Sequence, residues 1–309
     1  MDVLSDLLHR ARAGTVLVRQ LVRRPPWSIT FADGPPLTVF AALGGHASVR
    51  LADTDPVRLA AGDIALVTGT GEHTVADAES TPTQLVIRGG RKYPVAGATH
   101  RHLAPRTYGD GMPGATVLLR GGYELRGAAG DRLVDLLPPL AVVPAGPRTA
   151  AALDLLAAET ARDEPGQDAV LHRLLDLVLV CALRAWCTRP EATTPGWYGA
   201  LADPAVGAAL RLMHEDPGRR WTVAGLAAAV GMSRAAFAAR FAGLVGRPPL
   251  GYLTDWRMAV AADLLRDTDS TIATVARTVG YEDGFAFSVA FKRTRGVSPS
   301  TWRRTAPIR

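Results

Sequence analysis

Across residues 221–304 the apolar positions fall three and four residues apart, and one order of capping, apolar and breaking residues occurs twice. Thr222 precedes a stripe carrying Leu226 and Val230, Gly231 interrupts it, and Ser233 opens a second stripe through Phe237 and Phe241. Thr271, Ile272, Val275, Val279, Gly280, Asp283, Phe287 and Phe291 repeat that plan. Val230 and Gly231 return as Val279 and Gly280 at an offset of 49; Phe237, Phe241, Gly246, Pro249 and Tyr252 return at 50 as Phe287, Phe291, Gly296, Pro299 and Trp302. One residue is therefore added after the second Val-Gly. A Thr, Ser or Asp ahead of each stripe offers an oxygen to the first free amides, and Gly tolerates the left-handed stop. Each copy thus predicts two short helices meeting at a tight turn, a helix-turn-helix unit. Leu253, Trp256, Val260 and Leu264 predict a connecting helix over residues 250–266, about 25 Å long.

Residues 15–143 have another texture. Short β-type runs such as WSITF, LTVFAAL, DIALV, TQLVIRGG and TVLLRGGYEL are separated by Gly and Pro about every ten residues, which predicts a β-barrel or sandwich. Residues 97–114, GATHRHLAPRTYGDGMPG, read as irregular. A helical block follows: Leu153, Leu156 and Ala157 mark one helix, Pro165 and Gly166 break it, and Val170, Leu171, Leu174, Leu175, Val178 and Leu179 mark another. Leu177, Val180 and Leu183 widen that last stripe beyond what one face needs, so it predicts either core packing alone or packing on a partner subunit as well, making a homodimer. The fold class is α+β: a β-rich domain at 1–147, a helical block at 148–187, a linker at 188–204 and an all-α double helix-turn-helix at 205–305.

At 309 residues, 48% hydrophobic and 21% charged, the chain is long enough for two domains with cores of their own. The net charge of +6 is unevenly placed. From residue 205 onward fifteen Lys and Arg stand against eight Asp and Glu, whereas the first 204 residues hold 20 against 21. The basic surplus lies on the helical repeat, which points to a polyanion partner, double-stranded DNA. The opening MDVLSDLLHRARAG is too polar for a signal peptide, and its Leu4, Leu7 and Leu8 suit an amphipathic helix. Asp176 interrupts the longest apolar stretch, so no membrane span is expected and the location is cytoplasmic. Cys181 and Cys187, six apart, are expected to be buried, reduced thiols.

The VG and VGY turns, the GRPPLGYL segment with WRM after it, and the string FKRTRGVSPSTWR give residues 205–305 a specific resemblance to the DNA-binding domain of the AraC/XylS family of bacterial transcription regulators. The resemblance implies that bases are read from the second helix of each unit, residues 233–245 and 283–295, with RNA polymerase a candidate partner. Two such helices could enter successive major-groove turns about 34 Å apart. The candidate DNA-contact set is Ser233, Arg234, Ala235, Ala238, Ala239 and Arg240 in the first, and Asp283, Gly284, Phe285, Ser288, Val289, Lys292 and Arg293 in the second. Where the family commonly carries a reading Arg or Gln this chain has Ala238 or Ala239, and Val289 at the comparable place. Small apolar residues touch thymine methyls, while Arg234, Arg240, Lys292 and Arg293 suit phosphates and Ser288 lies near the bases.

DIALV followed by GTGEH resembles the second half-motif of a cupin, with Gly62, His73 and Asp77 in corresponding places, and the earlier half-motif shows His46. The segment TVLLRGGYEL with DRLVDLLPPLAVV is similar to the cupin-type sensor domain found ahead of some AraC-type regulators, where a cysteine is often seen at the position of Arg120. The resemblance implies a barrel that senses a small-molecule effector without a cofactor. A metal held by His46 and His73, with His100 and His102 in reach, is the alternative and would make the barrel a metal-dependent cupin enzyme. A weakly specific architectural DNA-binding protein is a third reading.

Overall fold

In the computed structural model the chain runs through α1 (Val3–Ala11), β1 (Arg19–Arg23), β2 (Ser28–Phe31), β3 (Leu37–Gly44), β4 (His46–Leu51), β5 (Val57–Ala60), β6 (Ile64–Thr68), β7 (His73–Ala76), β8 (Leu85–Arg88) and β9 (Arg91–Pro94). It continues through β10 (Arg101–Ala104), β11 (Thr107–Gly109), β12 (Thr116–Tyr123), α2 (Gly127–Val134), β13 (Leu140–Val143), α3 (Pro147–Thr160) and α4 (Gln167–Cys187). The C-terminal helices are α5 (Gly196–Ala200), α6 (Pro204–Glu215), α7 (Val223–Ala229), α8 (Arg234–Val245), α9 (Pro249–Asp267), α10 (Ile272–Thr278), α11 (Gly284–Arg295) and α12 (Pro299–Thr305). The structure describes all residues except 1–2, 12–17, 53, 96–100, 112, 126, 191, 193–194 and 306–309.

Two units divide the chain: Ala13–Leu125 with Leu136–Thr193, and Met1–Arg12 with Arg126–Asp135 and Thr194–Arg309. This division is interleaved along the chain, where the sequence reading sets domains end to end at 1–147, 148–187 and 205–305. The reason is tertiary: α1 buries Val3, Leu4, Leu7 and Ala11 by packing on α2 and α6, so both early helices join the C-terminal unit.

In the β-rich unit one sheet has seven strands in the order β10-β11-β1-β12-β3-β6-β13, and the other has six, β5-β4-β7-β2-β8-β9. Leu21, Trp27, Ile29, Phe31, Phe40, Val49 and Leu118 fill the core. They come from alternate positions, as one buried face per strand requires. The stretch read as irregular contains β10 and β11, which pair with each other, while β11 runs parallel to β1. Helix α4 packs on this unit through Leu171, Leu175, Val178 and Leu179, all buried. A Cβ at Gly121 of β12 would collide with the Leu175 side chain, so glycine there lets the helix approach the strand. Cys181 and Cys187 are half-buried rather than buried and carry no disulfide.

The C-terminal unit holds the two helix-turn-helix pairs, α7–α8 and α10–α11, with the caps the sequence predicts. Thr222, Ser233 and Thr271 each accept from the amide three residues on, at 2.9, 3.3 and 3.1 Å, and Asp283 accepts from Phe285 and Ala286 at 2.9 and 3.1 Å. The added residue falls in the second turn, where residues 279–283 replace 230–233. Gly231 and Gly280 hold φ of +70° and +84° there, a conformation that costs other residues about 1 kcal/mol or more. The connecting helix α9 is longer by one residue at each end than its apolar spacing predicts, because Pro249 serves at its first position and Asp267 extends its last turn. The expected linker 188–204 contains α5, which packs on α8; three of its residues lie outside the described ones. No single helix among the described residues is long and apolar enough to cross a membrane.

Candidate nucleic-acid interface and barrel cavity

Helices α8 and α11 bury Phe237 and Phe241, and Phe287 and Phe291, at four-residue spacing, which turns the intervening positions outward. On α8 the exposed face presents Arg234, Ala235, Ala239 and Arg240. On α11 it presents Phe285, 77% exposed, and Val289, 51% exposed, with Lys292 and Arg293 one turn further on. Ala235 and Ala239 correspond to Phe285 and Val289 in the repeat. Both helices therefore offer apolar side chains where a groove-facing surface would lie, with cations alongside. Of the two alanines at the expected reading position, Ala239 is exposed and Ala238 half-buried.

Several predicted contacts are otherwise engaged. Ser233 and Asp283 serve as N-caps, so their oxygens face their own helices' amides rather than open solvent. The Ser288 hydroxyl donates to the Gly284 carbonyl at 2.8 Å, inside its own helix. Gly284 is half-buried at the first position of α11. Arg240, expected to hold phosphate, donates through Nε to Asp203 at 2.8 Å, and Asp203 in turn caps α6. Arg240's side-chain hydrogen bond holds the Asp203 carboxyl below its ordinary range, with the Val206 amide assisting. This pairing joins residues 37 apart, so nothing local in the sequence announces it.

Among the described residues the histidines of the barrel do not converge. Strands β4 and β7 pair with Leu51 opposite His73 and Ser48 opposite Ala76, which leaves His46 beyond the far end of the ladder. His46 is exposed and His73 buried. His73 stacks on Phe31 at 5.1 Å, meets Phe40 edge-on at 5.7 Å and lies with Nδ1 3.2 Å from the Gly71 carbonyl. Asp77 accepts from the Trp27 amide at 3.0 Å and the Thr81 hydroxyl at 2.8 Å, a structural role. His102 lies on β10, edge-on to Tyr108 at 5.2 Å, and His100 lies outside the described residues. Among the described residues no three His, Cys, Asp or Glu are grouped to hold a metal ion.

Between the two sheets lies a cavity of about 210 Å³. Arg19, Tyr108 and Arg120 line it from the seven-stranded sheet, and Phe31, Ile87 and Lys92 from the other. Sequence reasoning singles out Arg120 but misses its companions, since strands some hundred residues apart bring them together.

Paired helix-turn-helix units with capped, outward-facing second helices, together with a separate β-barrel, define a two-unit regulator of DNA. A family model described as a helix-turn-helix domain matches residues 226–305, and one described as cupin matches residues 2–188. A putative AraC-like transcription regulator of Streptomyces antibioticus is 35% identical, over 98% of this chain and 99% of that one. Another of Streptomyces lividans is likewise 35% identical, over 98% of each. The C-terminal domain of AraT, a response regulator from Geobacillus stearothermophilus, is 30% identical, covers 35% of this chain and 90% of that one, and has a TM-score of 0.34. The chain belongs to the AraC-like transcription regulators, and it is a DNA-binding protein of transcription control.

Proposed function

We propose that a small molecule bound in the barrel cavity controls sequence-specific binding of double-stranded DNA by α8 and α11, in the cytoplasm and beside RNA polymerase at promoters. The matched exposed faces of the two helices carry this reading. Ala235, Ala239, Phe285 and Val289 would meet base edges through thymine methyls, and Arg234, Lys292 and Arg293 would hold phosphates. Arg240 would join them only by leaving Asp203. With no long polar side chain on the central face, much of the specificity would come from DNA shape and the spacing of the two helices. The barrel reads as a sensor rather than a metal-dependent enzyme, because His46 and His73 point to different places and Asp77 is committed to its neighbours.

Binding selections on randomised duplexes test the placement. An Arg that pairs with guanine contributes about 1–3 kcal/mol of discrimination, so Val289→Arg should create a guanine preference at one fixed position. Lys292→Ala should weaken all sites alike, as loss of a phosphate contact does. An unchanged preferred sequence for Val289→Arg would remove that residue from the groove.

Self-association through α4 is the second part of the proposal. Leu175 and Val178, central in the apolar stripe, are 2% and 0% exposed within one chain and so belong to its core. Val170 and Leu177 remain 45% and 42% exposed, with Leu155 of α3 at 55%. Leu177→Asp should therefore turn a dimer into a monomer in sedimentation without changing the circular dichroism. A wild-type chain that is already monomeric at micromolar concentration would end the idea.

A further inference from the structure

We propose that the barrel cavity binds a small organic anion, a carboxylate on an apolar or aromatic body, through Arg19 and Arg120 with Lys92 at the rim. The proposal rests on the reading of the barrel as the sensor and names the chemistry of what it senses. Strands β1 and β12 run antiparallel, and their register sets Arg19 opposite Arg120 and Leu21 opposite Leu118. Leu21 and Leu118 belong to the core between the sheets, so the two-residue period turns both arginines to that same interior side. Like charges directly opposite on one face of a sheet repel. From the facing sheet Lys92 brings a third cation, its ammonium 3.7 Å from the centre of the Tyr108 ring, with the Arg19 guanidinium 5.9 Å from the same ring.

Among the described residues no carboxylate lies in ion-pair range of Arg19, Lys92 or Arg120. Asp168 acts on Arg19 only through space, because it pairs with Arg106 at 2.5 Å. The Arg120 guanidinium sits 4.3 Å over the Phe31 ring, and its buried Nε has no hydrogen-bond partner. Asp33 attracts it from a distance, but both carboxylate oxygens of Asp33 accept from the Gly89 amide, at 2.9 and 2.8 Å. Burial lowers the Arg120 pKa to about 10 and also pushes Lys92 down, with Arg19's charge adding to the latter. Desolvated, mutually repelling cations carry an energetic cost that a bound anion would offset. The planar fork of arginine matches a carboxylate with two parallel hydrogen bonds. Leu21, Phe31 and Ile87 give the cavity apolar walls that a bare oxyanion would leave unfilled, and its size suits a compact ligand. Arg120 lies on the strand that leads, by chain continuity, into α2 of the DNA-binding unit.

The composition supplies the test. Lys92 and Lys292 are the chain's two lysines, one at the cavity and one on the second recognition helix. Full-length protein is treated with an amine-acetylating reagent, and the labelling of both lysines is read by mass spectrometry. The probes are benzoate, phenylacetate and hexanoate, their primary amides, inorganic phosphate, and the duplex preferred in binding selections. Benzoate or one of the other two carboxylates should slow Lys92 labelling several-fold and saturably, leaving Lys292 unchanged, while the amides do nothing. The duplex should protect Lys292. In Arg120→Met the carboxylate protection should vanish, and the unliganded melting temperature should stay level or rise, since an uncompensated buried cation has been removed. The proposal is overturned by amides protecting as well as carboxylates, by phosphate protecting equally well, or by Lys92 staying unprotected by every carboxylate while the duplex protects Lys292. A melting temperature that drops by several degrees in Arg120→Met assigns the arginine to structure and overturns it too. Failure of the duplex to protect Lys292 overturns instead the placement of that lysine on a phosphate.

Discussion

Trp256→Ala should cost the DNA-binding unit about 3–5 kcal/mol of stability, the usual range for removing a buried indole. Trp256 is 1% exposed on α9, and its ring stacks on His214 at 4.1 Å. The guanidinium groups of Arg132 from α2 and Arg10 from α1 lie over the same ring at 5.0 and 5.6 Å. One side chain thus serves as the platform on which four helices meet. His214, on α6, joins them by hydrogen bonds as well: Nδ1 is 3.1 Å from Asp6 and Nε2 2.8 Å from the Tyr252 hydroxyl. Burial keeps the imidazole pKa below its ordinary value, so at neutral pH it is uncharged. It then donates from Nδ1 to Asp6 and accepts at Nε2 from Tyr252. Burial alone would raise the Asp6 pKa, but hydrogen bonds from His214 and Arg10 outweigh it and keep the carboxylate charged. The indole N–H of Trp256 has no partner among the described residues, so alanine strands no polar group and the loss measures packing and stacking. Trp256→Phe should retain most of the stability. Amide exchange of α6 and α9 in the full-length chain reads the effect, and a loss under about 1 kcal/mol would show that the platform is not structural.

That platform marks where sequence reading stops. The repeat was legible because its signals are local: Thr222, Ser233, Thr271 and Asp283 each cap the helix directly after them, and the phenylalanines lie one turn apart on that helix. Most β-strands were legible for the same reason, through buried runs such as those of β3 and β6. Two of the four edge strands, β9 and β10, were not. All four residues of β9 are exposed and three of four in β10, so neither shows the apolar alternation by which a strand is recognised. Helix α2 is hidden by Gly127 and Gly130, which argue against a helix until Ala128, Ala129 and Leu133 find neighbours to pack on. Allegiance of α1 and α2 to the C-terminal unit depends on contacts spanning most of the chain, such as Asp6 with His214. The candidate site divides likewise: exposure of Ala239 and Val289 follows from helical periodicity, whereas the commitment of Arg240 to Asp203 and the facing of Arg19 by Arg120 exist only once helices pack and strands register.

Acid should destabilise the β-rich unit through His73 before its other buried contacts change. Burial lowers the pKa of this imidazole to about 4; the Gly71 carbonyl opposes the shift and the nearby Arg120 guanidinium adds to it. An imidazole in the unfolded chain takes up its proton near pH 6.5. Folded and unfolded states therefore hold the same number of protons at His73 above pH 6.5, and between 6.5 and about 4 the unfolded state holds more. Stability is fully present above the upper value and declines as pH falls through the window. The difference of about 2.5 units corresponds to about 3 kcal/mol lost by pH 4, enough to matter for a domain of ordinary stability. With Nδ1–H directed at Gly71, Nε2 is the bare nitrogen and has no partner, so protonating it would place a charge between Phe31 and Phe40 with nothing to receive it. Phenylalanine is close in shape and does not titrate. Urea unfolding of wild type and His73→Phe across pH 7 to 4 isolates the contribution, because every other titrating group cancels in the difference. The variant should match or exceed wild type at pH 7 and gain on it by about 3 kcal/mol at pH 4; parallel losses in the two proteins would mean that His73 already carries its proton in the fold.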